Sequence, residues 1–127
     1  MIKLTFCLRR LPHLSYEEFH DYWLNNHGPL VRSVQDKLKI KHYVQVHARK
    51  DSPMSDALRA SRKAPEPYDG VAELWFDSED AILQNQSDPE AQAAGKLLLE
   101  DERKFIDLEN SPLWFNEAHE IIPLETT

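Results

Sequence analysis

The chain has 127 residues, 41% of them hydrophobic and 29% charged, which is the make-up of one soluble globular domain with its own core. A formal net charge of -7 and a pI near 5.3 argue against a general nucleic-acid or anionic-membrane surface, and three glycines leave no room for a phosphate-cradling GxGxxG or GxxxxGK loop. The one cysteine, Cys7, makes no internal disulfide, no run of eighteen apolar residues spans a membrane, and MIKLTFCLRR is too short an apolar run for a secretory signal, so a single cytoplasmic domain over residues 1–127 is expected.

Ile2, Leu4, Phe6 and Leu8 alternate with Lys3, Thr5, Cys7 and Arg9, which predicts a strand over residues 2–9 with one apolar face. Ser15 and Glu18 form a capping-box pattern, and Leu14 and Phe19 stand at the positions of a hydrophobic staple, so a helix starts at Ser15. Phe19, Trp23 and His27, spaced by four, lie on one stripe of that helix, and His27 points where the core residues point. Gly28-Pro29 predicts a break there, with Pro29 opening a second helical piece that carries Leu30, Val31, Val34 and Leu38.

Residues 40–48 read as a second strand, with His42, Val44 and Val46 on one face and Tyr43, Gln45 and His47 on the other. Residues 51–68, rich in proline and serine, read as an exposed excursion with one short helix near residues 55–62, a candidate lid. A third strand over residues 70–76 sets Ala72, Leu74 and Phe76 opposite Val71, Glu73 and Trp75. Asp77 or Ser78 caps a short helix through Leu83, and Asp88-Pro89 opens a longer one to about Ile106 that buries Ala91, Ala94, Leu98 and Phe105. Residues 113–122 read as a fourth strand and the terminal Glu-Thr-Thr as a frayed tail.

The order strand, helix, strand, strand, helix, strand is that of an α+β, ferredoxin-like βαββαβ antiparallel sheet with helices on one face. Trp75 and Trp114 or Phe115 on the open face would expose a large aromatic patch. A second copy covers it most simply, and a homodimer of this kind is a dimeric α+β barrel whose interior is the expected ligand cavity.

His27 is the leading candidate for chemistry, as a neutral-pH proton carrier directed inward at a helix break; the rival reading is a core histidine tying off a backbone carbonyl. Tyr43 and His47 stand about 13 Å apart along one strand face. With Gln45 between them they suit the phenol and carbonyl oxygens of an aromatic or polyketide-like ligand, Tyr43 or His47 stabilising an enolate; on an uncovered sheet the same row is an exposed polar face. Asp69 either orients His27 or forms an Asp-Gly turn, and Glu73 is either a base in an apolar setting or a cross-strand partner of Lys3 or Arg9. Tyr22, Trp23 and Trp75 read as pocket-wall or core aromatics, and Cys7 as an inert small residue. The six histidines form no metal site by local spacing, so neither a metal nor a cofactor is expected.

FHDYWLNNHGPL at residues 19–30, YVQVH at 43–47, YDGVAELWF at 68–76 and FID at 105–107 together resemble the EthD family. The resemblance implies a dimeric α+β barrel related to polyketide cyclases, muconolactone-type isomerases and small cofactor-free oxygenases, with His27, Tyr43, His47 and Asp69 at pocket positions. Tyr22, Trp23, Gln45, Glu73 and Trp75 are the expected substrate-binding residues. The expected activity is a cofactor-independent lyase, cyclase or isomerase working by proton transfer. A cofactor-free or haem-linked oxygenase and a non-enzymatic binding dimer are the alternatives.

Overall fold

Four alternating segments pair into one antiparallel sheet in the computed structural model, which describes residues 1–125; Thr126 and Thr127 of the expected tail lie outside the described residues. Strands β1 (Ile2–Leu8), β2 (His42–His47), β3 (Gly70–Phe76) and β4 (Leu113–Asn116) lie in the order β2-β3-β1-β4, the ferredoxin-like arrangement expected. The register sets Phe6 and Gln45 opposite Ala72, and Leu4 and Tyr43 opposite Leu74. Tyr43, Gln45 and His47 therefore share the helix-facing side with Leu4, Phe6 and Leu8. Val44, Val46, Val71, Glu73, Trp75 and Trp114 occupy the open side. Phe115 pairs with Leu4 and so belongs to the helix side rather than the open one.

The fourth strand is shorter than its sequence pattern. Asn116 pairs with Lys3, and β1 begins one residue before Lys3, so residues beyond Asn116 run past the end of their partner and have no ladder to join. They leave Ile121, Ile122 and Leu124 exposed.

Helix α1 (Tyr16–Tyr22) starts at the predicted cap: Ser15 Oγ accepts the Glu18 N–H, and Glu18 Oε1 accepts the Ser15 N–H. The predicted break at Gly28-Pro29 is absent. The chain stays helical through one wide turn, Trp23–His27, in which the Gly28 N–H reaches the Trp23 carbonyl, and continues as α2 (Gly28–Ser33). Pro29 lacks the N–H that a regular turn would require and its ring would crowd the preceding turn, and the wide turn absorbs both defects. It also keeps the stripe in phase. In a regular helix, twelve residues from Phe19 to Val31 drift about 120° around the axis, and one residue absorbed in a wide turn cuts this to about 20°. Phe19, Trp23, His27 and Val31 are accordingly all buried.

A short α3 (Gln35–Leu38) follows, then α4 (Pro53–Arg62) inside the excursion, α5 (Glu79–Asn85), and α6 (Pro89–Glu102) capped by Asp88. The helical layer and the sheet enclose two apolar clusters. One centres on Phe6, Leu8, Phe19, Trp23 and Phe105, the other on Val31, Val34, Ile40, Phe76 and Leu98. Gly70 is needed where the first cluster meets strand β3, since a Cβ there would lie 2.4 Å from the Trp23 ring and 2.8 Å from the Val46 carbonyl. No described helix is long and apolar enough to cross a membrane.

Candidate active site

Between the two clusters, roofed by the wide turn and α6 and floored by the sheet, lies a cavity of about 210 Å³. Its wall is mostly aliphatic and aromatic, and the polar side chains that break it are His27, Tyr43, Asn85 and Glu102. The cavity thus sits inside one chain, between helices and sheet, rather than in the barrel interior between two sheets. A groove of about 690 Å³ beside α2 and edge strand β2 shares Val31, Ile40 and Tyr43 with it.

His27 is 5% exposed, and its Nδ1 lies 2.7 Å from Asp101 Oδ2. The other carboxylate oxygen, Oδ1, accepts the Tyr22 hydroxyl at 2.5 Å. Two donors converge on Asp101, so although burial raises its pKa, the bonds from Tyr22 and His27 bring it net below the ordinary value and keep it ionised. Burial also holds His27 below the ordinary histidine value, outweighing the carboxylate that opposes it. The imidazole is therefore neutral at physiological pH, with its Nδ1–H committed to Asp101 and Nε2 the basic nitrogen. Tyr22 is raised to about 12 by burial and by Asp101, so it remains a hydrogen donor.

A second chain of hydrogen bonds runs along β2. Gln45 Nε2 donates to the Trp23 carbonyl at 2.8 Å and to the Tyr43 hydroxyl at 2.9 Å. That fixes the amide, and Gln45 Oε1 is left to accept from His47 Nε2 at 2.8 Å. His47 Nδ1 is then bare and accepts from His20 Nδ1 at 2.5 Å. His20 Nε2 ends the chain as a buried acceptor, one of two buried side-chain atoms without a partner among the described residues; the other is Asn85 Oδ1. Gly28 makes room for the Gln45 amide, whose nitrogen lies 3.2 Å from where a Cβ would stand. Tyr43 is raised, first by burial and against the donors Gln45 and Trp23, so its hydroxyl keeps its proton.

The expected site residues divide. His27, Tyr43 and Trp23 line the cavity; Gln45 and His47 stand behind Tyr43; Tyr22 stands behind Asp101. Asp69 does not orient His27: its two oxygens bind the Arg10 backbone N–H at 2.8 Å and guanidinium at 2.7 Å. Glu73 and Trp75 project from the opposite sheet face, where Glu73 pairs with Lys3 and Trp75 packs on His42, so neither reaches this cavity. No residue of the 51–68 excursion lines it either, so the excursion is no lid over it.

Sequence reasoning missed Asp101 and Glu102. Ala91, Ala94 and Leu98 mark the buried stripe of α6, and its next turn falls on these two carboxylates, which read as solvent-facing charges. Glu102 is raised to about 7 by burial and then by Asp101, with Arg103 opposing.

A protein of Ustilaginoidea virens called "Dehydratase ustZ" is 29% identical over 113 residues, covering 84% of this chain and 78% of that protein. An EthD family protein of Bacillus halodurans superposes with a TM-score of 0.60 at 22% identity, over 94% of this chain and 99% of that one. A dimeric protein of unknown function and ferredoxin-like fold from Bacteroides fragilis superposes at 0.57 with 14% identity, over 92% and 95% of the two chains. These likenesses agree in fold with the sheet order described above. The model of the EthD domain matches residues 11–109, and the chain belongs to that family.

Proposed function

We propose that this chain is a cofactor-independent lyase of secondary metabolism, a cytoplasmic dehydratase that removes water from an aromatic or polyketide-like carbonyl compound. The observation that carries the reading is the Tyr22–Asp101–His27 chain, which fixes a neutral imidazole at the wall of an apolar cavity. The Ustilaginoidea virens relative, itself called a dehydratase, supports it.

Loss of water beside a carbonyl begins with removal of a proton from the adjoining carbon, and negative charge develops on the carbonyl oxygen. His27 Nε2 takes the proton, and ionised Asp101 stabilises the imidazolium that forms. Tyr43 accepts from Gln45, so its own O–H is available to the enolate oxygen. The apolar wall excludes water and strengthens both interactions. An apolar cavity of ~150 Å³ already holds benzene, so about 210 Å³ takes a substituted or fused ring, whose substituents extend along the groove.

Turnover of β-hydroxy-α-tetralone to α-naphthol, read by naphthol fluorescence, tests the reading. His27→Ala lowers kcat by ~10²–10⁴-fold. Wild-type turnover by a folded His27→Ala protein would sink the assignment.

We also infer a homodimer through the open sheet face, where Trp114 is 47% and Val46 45% exposed. The dimeric Bacteroides fragilis neighbour supports this. Sedimentation of Trp75→Glu protein as a monomer is the expected result, and an undisturbed dimer would refute this face.

A further inference from the structure

We propose that Glu102 is the general acid of this site, protonating the departing hydroxyl of a cyclic β-hydroxy ketone while His27 takes the proton from the carbon beside the carbonyl. This rests on the dehydratase reading above and adds the half of the reaction that His27 and Tyr43 leave unserved. Hydroxide is a poor leaving group, and a site that only removes a proton stalls at the enolate.

Asp101 and Glu102 are sequence neighbours at the end of α6 with opposite surroundings. Asp101 receives the Tyr22 hydroxyl and the His27 N–H. Glu102 lines the cavity with His27 and Tyr43, and no side chain among the described residues donates to it. One carboxylate is thus held ionised by donors and the other, undonated and beside a fixed negative charge, holds a proton, consistent with its rise to about 7. Two carboxyl groups whose environments drive them apart mark a divided acid and base role. Asn85, the remaining polar group of the wall, carries no ionisable proton at neutral pH.

The step balances without a co-reactant. The carbon–hydrogen bond breaks and its proton goes to His27 Nε2. Its electron pair forms the new double bond through the enolate, the carbon–oxygen bond breaks, and the hydroxyl leaves as water with the Glu102 proton. The site starts as neutral imidazole and carboxylic acid and ends as imidazolium and carboxylate, and return of one proton from His27 to Glu102 resets it.

Two probes that differ only in the leaving group test this: β-hydroxy-α-tetralone, which must lose water, and β-acetoxy-α-tetralone, whose acetate departs without a proton. Glu102→Gln is expected to lower kcat for the hydroxy ketone by about 100-fold or more and for the acetate by less than about threefold. His27→Ala slows both. Equal effects of Glu102→Gln on the two probes, or none, with His27→Ala still slow on both, overturn the acid and leave the base standing. Wild-type protein that eliminates neither probe, or His27→Ala protein that eliminates both at the wild-type rate, overturns the dehydratase reading and this proposal together. Infrared difference spectra supply a readout without substrate: a protonated-carboxyl band near neutral pH that Glu102→Gln removes is expected, and its absence from the wild type overturns the proposal.

Discussion

Glu102 is a cost to the fold, and the cost has a definite pH dependence. The carboxyl titrates from 4.5 in the unfolded chain and at about 7 in the folded one, raised by burial and by Asp101. Below 4.5 both states hold the proton and the group is neutral to stability. As pH rises the unfolded chain releases its proton first, so wild-type protein loses stability until the folded carboxyl also ionises near 7. At about 1.4 kcal/mol per pH unit between those values, the full loss is about 3 to 4 kcal/mol. The neutral amide of the Glu102→Gln variant carries no such proton. The variant should therefore gain on the wild type by about 2 to 3 kcal/mol between about pH 4.5 and 8.5, measured by urea unfolding followed by tryptophan fluorescence. The difference between the two proteins matters, because titrations that are not coupled to Glu102 cancel in it. A stability difference that stays flat across this range would refute the half-buried, protonated carboxyl.

Asp101→Asn leaves the His27 N–H without an anionic acceptor, and kcat for the hydroxy ketone should fall by ~10²–10⁴-fold with the fold intact by circular dichroism. Tyr22→Phe removes one of two donors to Asp101, and a loss of about tenfold is expected; a null effect would mean His27 does not depend on that carboxylate's placement. Gly70→Ala drives a methyl into Trp23 and the Val46 carbonyl, so urea unfolding should show a loss of about 1–3 kcal/mol. His20 is lowered from 6.5 to about 4 by burial and by His47, so its contribution is intact above 6.5 and lost as pH falls toward 4. Acid should therefore cost about 2 kcal/mol at this residue once solvent screening is allowed for, and His20→Gln should flatten the wild-type acid limb; an unchanged limb would refute this.

The sheet was legible because each strand alternates, and the alternation names both faces: Tyr43, Gln45 and His47 fall together as read. Helix α1 was legible from Ser15, Glu18 and the staple Leu14–Phe19. The errors have physical sources. Gly28-Pro29 breaks a regular helix, and no local rule foretells that a wide turn can carry the pair while holding Phe19, Trp23 and His27 in phase. Residues 113–122 alternate well enough for a strand, but strand length is set by a partner that ends. Asp69 was near in motif and wrong in space, since Arg10 claims it. The partner of His27 stands 74 residues away, where a carboxylate on the buried stripe of α6 looks like any surface acid until the helices are docked.

The wide turn also makes the imidazole separable from its scaffold. It already holds one residue more than a regular turn, so deleting Asn25 or Asn26, both exposed, restores a regular helix in the same phase, whereas inserting one residue beside them overfills the turn and rotates His27 and everything after it by about 100° relative to Phe19 and Trp23. Whichever half of the helix keeps its packing, the other is turned off the sheet. A single codon gained at this turn is thus enough to misalign the base, while one lost leaves it aligned, so the angle of His27 is set by a residue count rather than by any one side chain. In such an insertion protein, secondary structure that survives while turnover is lost is the expected result, and turnover that survives would show that the residue count of the turn does not set the angle of His27.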